Sequence, residues 1–281
     1  MRWKLAHRND ICLDNSVSSS VAQDYFLTLI SSVEAFGLVD LASYYRPFAG
    51  WTIAHDLALR GPVPDYSDPG FWCLRDSFGF TPAHVAACVR RLPARFKFWD
   101  LKEDHAGWSV AHTAAKFNLL PKGFNKWDLS DKDGWTVAHE AAKHYKLPET
   151  FNKWGLSDRD GWTVAHEYVK HYKMPKSFNG WEMADRYGWS VAHVAAEYGN
   201  LPESFDKLEL CDLDGTSVAH VLAERGLLPK GFNKWDLSDK DGWTVAHALA
   251  DFGVLPEDFN LWNLRAKSGV SVEDVYSSRT N

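Results

Sequence analysis

The sequence predicts an all-α fold, an elongated repeat solenoid closed by a helical N-terminal cap and a polar C-terminal cap. Three observations predict it. A Gly-aromatic-Ser/Thr-x-Ala-His motif recurs every 27 residues through most of the chain, a period in the range that marks stacked units. Each copy opens a short alanine-rich run with helical spacing. The chain holds 14 tryptophans in 281 residues, and thirteen of them fall in one of two slots of that repeat.

The elements follow in order. Residues 1–49 stand outside the period. Val21, Tyr25, Leu29, Val33 and Phe36 form a helical stripe, and Asp14-Asn-Ser-Val17 precedes it as a start, so the segment reads as an amphipathic cap. Eight units follow, at 50–78, 79–106, 107–133, 134–160, 161–187, 188–214, 215–241 and 242–268. The motif begins at Gly107, Gly134, Gly161, Gly188, Gly215 and Gly242 without slippage. Gly50 and Gly79 start earlier copies, 29 and 28 residues ahead of the next. Extra residues at 61–70 are expected to bulge as a loop. Residues 120–139 and 228–247 are identical, which points to recent internal duplication. The last copy, Gly269-Val-Ser-Val-Glu-Asp274, turns Ala-His into Glu-Asp, and residues 269–281 are expected to form a polar C-terminal cap.

The unit around 131–157 illustrates the chemistry. Asp131-Lys-Asp-Gly134 is a turn sequence, with an Asp three residues before the glycine in this and six other copies, from Asp76 and Asp104 to Asp239. Thr136 suits a helix N-cap, and Val137 to Lys143 is a helix-forming run. Ala138, Ala141 and Ala142 share a face that lets helices approach closely. Leu147-Pro148 ends that helix, and Pro148 can start the next. Phe151 and Trp154, three apart, are expected on the inner face of a short second helix.

The run Asp-x-x-Gly-Trp-Thr-Val-Ala-His-x-Ala-Ala resembles the ankyrin repeat, and Gly79-Phe-Thr-Pro-Ala-His84 is the closest copy because it keeps the proline. The resemblance covers about 50–268 and lies in the first half of each unit. It departs in the second half, where a 27-residue unit leaves only Pro-x-x-Phe-x-x-Trp. The expected array is therefore ankyrin-like with a shortened repeat. The resemblance implies that the motif histidine bonds nearby backbone and the helix-starting Thr, bracing the turn. It also implies a protein-binding scaffold.

Other classes are excluded on residue grounds. A net charge of −6 argues against nucleic acid as the main partner. No run approaches the roughly 20 apolar residues of a membrane span, so no membrane partner is expected. The charged start is unlike a secretory signal, and four scattered cysteines form no metal or disulfide pattern. A cytoplasmic protein is expected, in its own cell or, for an effector, in a host cell. The ladder of His55, His84, His112, His139, His166, His193, His220 and His247 is read as structural. Stacked helices sit roughly 8–10 Å apart, whereas ligands of one metal lie about 2 Å from it. The Asp-x-Asp-Gly turns lack a third calcium ligand, since Leu129, Leu156 and Leu237 stand there. No nucleophile or phosphate-binding motif occurs, and a repeat multiplies any residue instead of building one active site. No enzyme, cofactor or metal is expected.

The expected function is binding of a protein partner by a monomer, through helix ends and turns. The family's binding face falls on the two positions after Ala-Ala. The first runs Lys116, Lys143, Lys170, Glu197, Glu224, Asp251. The second runs Phe117, His144, His171, Tyr198, Arg225, Phe252. This ridge passes from positive to negative beside aromatic residues, and the turn residues Trp135, Trp162 and Trp189 complete it. An effector, a phage-encoded inhibitor and an adaptor all fit. The alternative function is a ligand- or carbohydrate-binding ladder of exposed turn tryptophans. Eight stacked units predict an array about 60–80 Å long. Small-angle scattering checks this, and a compact sphere would refute it.

Overall fold

The computed structural model describes residues 50–60, 69–257 and 259–280. The expected N-terminal cap and most of the 61–70 insertion lie outside them. Ten short helices carry the described chain: α1 (Ile53–Arg60), α2 (Pro69–Trp72), α3 (Pro82–Cys88), α4 (Val110–Lys116), α5 (Val137–His144), α6 (Val164–Val169), α7 (Val191–Glu197), α8 (Val218–Glu224), α9 (Val245–Phe252) and α10 (Val272–Thr280). Among the described residues the only β-type pairing is by isolated antiparallel bridges, such as Ser157 with Thr163. This is a helical repeat fold. The chain divides into two compact units, the first ending at His144 and the second beginning at Tyr145. In the first, α1, α3, α4 and α5 pack in succession. In the second, α6 to α10 do the same.

From α4 to α10 the helices begin where they do because the open amides at their start find acceptors. In α6 the N-cap Thr163 donates its amide to His166 Nδ1 at 3.0 Å. Val164 donates to the Leu156 carbonyl at 2.9 Å and Ala165 to the Trp154 carbonyl at 3.1 Å. The His166 amide donates to Thr163 Oγ1 at 3.4 Å. The four donors that a helix N-terminus ordinarily leaves open are thus closed by residues of the same repeat. Small side chains then let successive helices approach. Val191, Ala192, Ala195 and Ala196 of α7 are all fully buried, as are Val218, Ala219 and Ala223 of α8.

The second half of the repeat differs from expectation. In place of a second helix it forms two tight turns. Phe151 donates to the Pro148 carbonyl at 2.9 Å, and Leu156 to the Lys153 carbonyl at 3.2 Å. The segment is too short to nucleate a helix by itself, and the carbonyls of Trp154 and Leu156 at its end accept from the amides that open α6. The aromatic pair still packs inward. Phe151 meets Trp154 edge-on at 4.9 Å between centroids, and Trp154 meets Phe178 of the next repeat at 6.0 Å. Edge-to-face pairs add about 0.5–1.5 kcal/mol each beyond buried area.

A second departure lies in the 107 copy. Asp76 accepts from the amides of Phe78 and Phe80, both at 2.9 Å, as the repeat turn requires. The expected counterpart, Asp104, does not do this. Glu103 takes the amides of His105 at 2.7 Å and Trp108 at 2.8 Å. Asp104 is exposed and pairs with Arg75 at 2.6 Å. This copy carries one extra residue between the acid and the aromatic, and the longer glutamate spans it.

The turn glycine meets two demands at once. Gly188 has φ +79, and a Cβ there would lie 2.7 Å from the backbone nitrogen of Leu213 in the next repeat. That nitrogen donates to the Tyr187 carbonyl at 3.0 Å, so the two turns are already joined. Gly188→Ala is expected to lower the unfolding free energy by about 1–3 kcal/mol through strain and loss of that contact. Urea unfolding checks it, and an unchanged midpoint would mean that the turns part without cost.

Candidate functional site

The histidine ladder binds the repeats together. In the second unit, His166 Nε2 donates to the Trp189 carbonyl, His193 to Thr216 and His220 to Trp243, each at 3.0 Å, and His247 to Val270 at 3.2 Å. In the first unit, His55 reaches Phe80 at 3.1 Å, His84 reaches Trp108 at 3.2 Å and His112 reaches Trp135 at 2.9 Å. Each Nδ1 takes the amide and meets the hydroxyl of its own N-cap Ser or Thr, as Thr136 does for His139 at 3.1 and 2.7 Å. This bonding assigns the proton to Nε2. Each ring is one-sided toward the cap and one-sided toward the following repeat. Burial lowers the pKa of His55, His84, His112, His193, His220 and His247, to about 4 for His84 and His112. With both nitrogens engaged, these side chains have no position left for a metal or a proton relay. Among the described residues, no cluster of three His, Cys, Asp or Glu side chains is placed to hold a metal.

The ladder ends with a substitution. Ser271 donates its amide at 2.9 Å and its hydroxyl at 2.7 Å to Asp274 Oδ2, and the Asp274 amide returns to Ser271 Oγ at 3.1 Å. Asp caps its helix as His does in earlier copies, without a donor to send onward. Hydrogen bonds from Ser271 hold its carboxyl below the ordinary value.

The turn tryptophans do not stand clear of the surface. Trp135, Trp162 and Trp189 are half-buried. Each lies stacked on its own histidine, His139, His166 or His193, at 4.7 Å between centroids and 29° between planes. The Trp135 indole N–H donates to Glu140 at 3.1 Å, and that of Trp162 to Glu167 at 3.2 Å. One ring face is therefore occupied in all three, and the polar edge as well in Trp135 and Trp162.

The helix-end residues form two local clusters. In the first unit, His144 Nε2 lies 2.9 Å from the buried Glu140 carboxylate, beside the exposed Lys143. Burial pushes the Glu140 carboxyl up, but His144, Lys143 and the Trp135 N–H outweigh it and hold the carboxyl below its ordinary value. In the second unit, Lys170 reaches buried Glu167 at 3.2 Å, His171 comes to 3.6 Å, and the Lys170 ammonium lies 5.9 Å from the Trp162 ring centre. Lys116 and Phe117 are half-buried, and the Arg90 guanidinium stands 5.9 Å above the Phe117 ring. The acidic half of the ridge is also engaged: Glu197 pairs with Arg225 at 3.8 Å, and Asp251 with Arg279 at 2.7 Å. The ridge is thus less graded in charge than its residue types imply.

Sequence reasoning missed the buried glutamates. The signal was present, because only the 134 and 161 copies place Glu five residues after Trp and His four residues after that Glu. It also missed Tyr187 and Leu213. They stand 52% and 61% exposed in adjoining turns, at slots that other repeats fill with Asp and with Lys or Arg. Exposed Tyr198 and Phe252 mark the helix ends of the same unit. Among the described residues, no helix is long and apolar enough to cross a membrane. No protein-family model matches the chain, and no curated protein matches it.

Proposed function

We propose that this chain is a non-enzymatic scaffold that binds a partner protein through helix ends and turns of an ankyrin-like array. One observation carries the reading. Where the buried slots of the repeat stay constant, the slots facing water diverge toward large apolar side chains: Tyr187, Tyr198, Leu213 and Phe252 are each at least 45% exposed. Constant framework and divergent aromatic surface is the division of labour that a binding array needs, since aromatic side chains supply most hot-spot energy. The tethering of Lys170 and His171 to Glu167 adds to this, because a preordered side chain loses less entropy on binding.

The test is affinity capture of a partner from the cell of origin, followed by titration. Tyr198→Ala with Phe252→Ala is expected to weaken binding by 10-fold or more, about 1.4 kcal/mol or above, with the thermal midpoint unchanged. Lys143→Glu is expected to slow association, with the difference shrinking at high salt. Wild-type affinity in the aromatic pair would place binding on another surface.

A further inference from the structure

We propose that the turn ridge centred on Tyr187 and Leu213 is a docking surface for a second copy of this chain, joined antiparallel about a two-fold axis. The ridge lies within the second unit. Its order is fixed by the backbone. Arg186 donates its amide to the Asp160 carbonyl at 2.8 Å, Leu213 to that of Tyr187 at 3.0 Å and Lys240 to that of Asp214 at 2.8 Å. Arg186 and Tyr187 are neighbours in sequence, as are Leu213 and Asp214. The ridge therefore runs Asp160, Arg186, Tyr187, Leu213, Asp214, Lys240. At the first joint the carboxylate and the guanidinium form an ion pair at 2.9 Å. At the central joint both slots of that pair hold large apolar side chains instead, and these are 52% and 61% exposed.

The order of charges names the occupant. From end to end the ridge reads minus, plus, apolar, apolar, minus, plus. Turned round, it reads plus, minus, apolar, apolar, plus, minus. A second copy laid antiparallel therefore sets Asp160 against Lys240, Arg186 against Asp214 and Tyr187 against Leu213, and the two-fold repeats each contact. The alternation continues outward to Arg159 and Asp241, which also meet with opposite sign. Alternating charge alone fits its own reverse in several registers. The apolar joint selects one, because any shift sets Tyr187 and Leu213 against charges that lose water without gaining a partner. The Arg186 guanidinium is already held by Asp160 and by the Tyr187 ring, 5.1 Å away, so it loses little freedom on docking. The contact is smaller than a standard interface, so a weak dimer is expected, with a Kd of about 100 µM.

The inference goes beyond the scaffold reading. It assigns Tyr187 and Leu213 to self-association and leaves Tyr198 and Phe252 to the captured partner. Sedimentation equilibrium of the full chain, from about 5 to 500 µM, is expected to show monomer giving way to dimer. Arg186→Glu sets like charge against Asp214 twice in each dimer, and Asp214→Arg does so against Arg186. Both positions are exposed turn residues, so the fold is kept. Each variant alone is expected to associate about 10-fold or more weakly. Mixed in equal amounts, the two are expected to regain the affinity of the unaltered chain, because each then meets the opposite sign at both contacts. Tyr187→Asp/Leu213→Lys installs the residue types that neighbouring repeats hold at these slots. It is expected to fold as before and to lose about 10-fold or more in association. A chain that stays monomeric at the highest concentration overturns the proposal. So does a mixture no tighter than its components, or full association in Tyr187→Asp/Leu213→Lys. A captured protein that this double variant releases, from a chain that never dimerises, overturns it in favour of a foreign partner at the ridge. Capture through Tyr198 and Phe252 by a chain that never dimerises refutes the dimer and leaves the scaffold standing, and dimerisation without capture does the reverse.

Discussion

His166→Ala is expected to lower the unfolding free energy by about 3–5 kcal/mol, a large share of a typical domain's roughly 5–15. The side chain is fully buried. Its loss leaves the Thr163 amide and the Trp189 carbonyl without the ring that joined them, at 3.0 Å on each side. Each buried orphan costs about 1–3 kcal/mol. The Trp162 ring, stacked on the imidazole at 4.7 Å, loses its support as well. His166→Asn separates the two roles. Its carboxamide oxygen can still take the Thr163 amide, but it is too short to reach Trp189, so about half the loss should return. Urea unfolding measures both variants. A midpoint unchanged in His166→Ala would show that the ring joins nothing.

Acid is expected to act on the ladder at six of its histidines. His84 and His112 titrate near 4 in the folded chain because burial disfavours the imidazolium, against about 6.5 when unfolded. His55, His193, His220 and His247 are lowered too, by the same cause. The unfolded chain therefore binds more protons below pH 6.5. Stability is full above that value and falls as pH drops toward 4, by about 3 kcal/mol for each of His84 and His112. Asp131 opposes this. Burial raises it to about 6, so its contribution is gained as pH falls through 6 and offsets about one histidine. Asp76, Glu197 and Glu224, also raised by burial, act in the same direction. The net expectation is a thermal midpoint that is flat above pH 7 and drops between pH 6.5 and 4. A flat profile across that window would mean that the histidines stay accessible to protons when folded.

The period, the helix starts and the histidine slot were legible in the sequence because each depends on local chemistry. Thr163 beside His166 is a cap wherever it stands. The second half of the repeat was not legible. Phe151 and Trp154 at a spacing of three suit a helix, but the short segment closes into separate turns and its end is held by the amides of Val164 and Ala165, ten or so residues later, a contact no local spacing reveals. The Glu103 substitution was hidden for a related reason. Counting back three residues from Gly107 finds Asp104, and only the fold shows which acid the turn amides reach. At the candidate site, residue types located the helix-end slots, but a charge read from a sequence cannot show its partner. Lys170 and Glu197 look free until Glu167 and Arg225 are placed beside them.

The onward bond from each histidine makes the repeats interchangeable parts with a defined head and tail. The histidine asks of the next repeat only a backbone carbonyl after the turn glycine, which every successor supplies whatever its side chain: Trp189, Thr216, Trp243 and Val270 all serve. Excision of residues 188–214 would bring Thr216 to the place of Trp189 and leave His166 equally well served. Cutting out half that length would strand it. Genetic exchange between copies, of the sort that left residues 120–139 and 228–247 identical, is therefore tolerated only in whole repeats. The binding surface can then be lengthened, shortened or reshuffled without designing a new core.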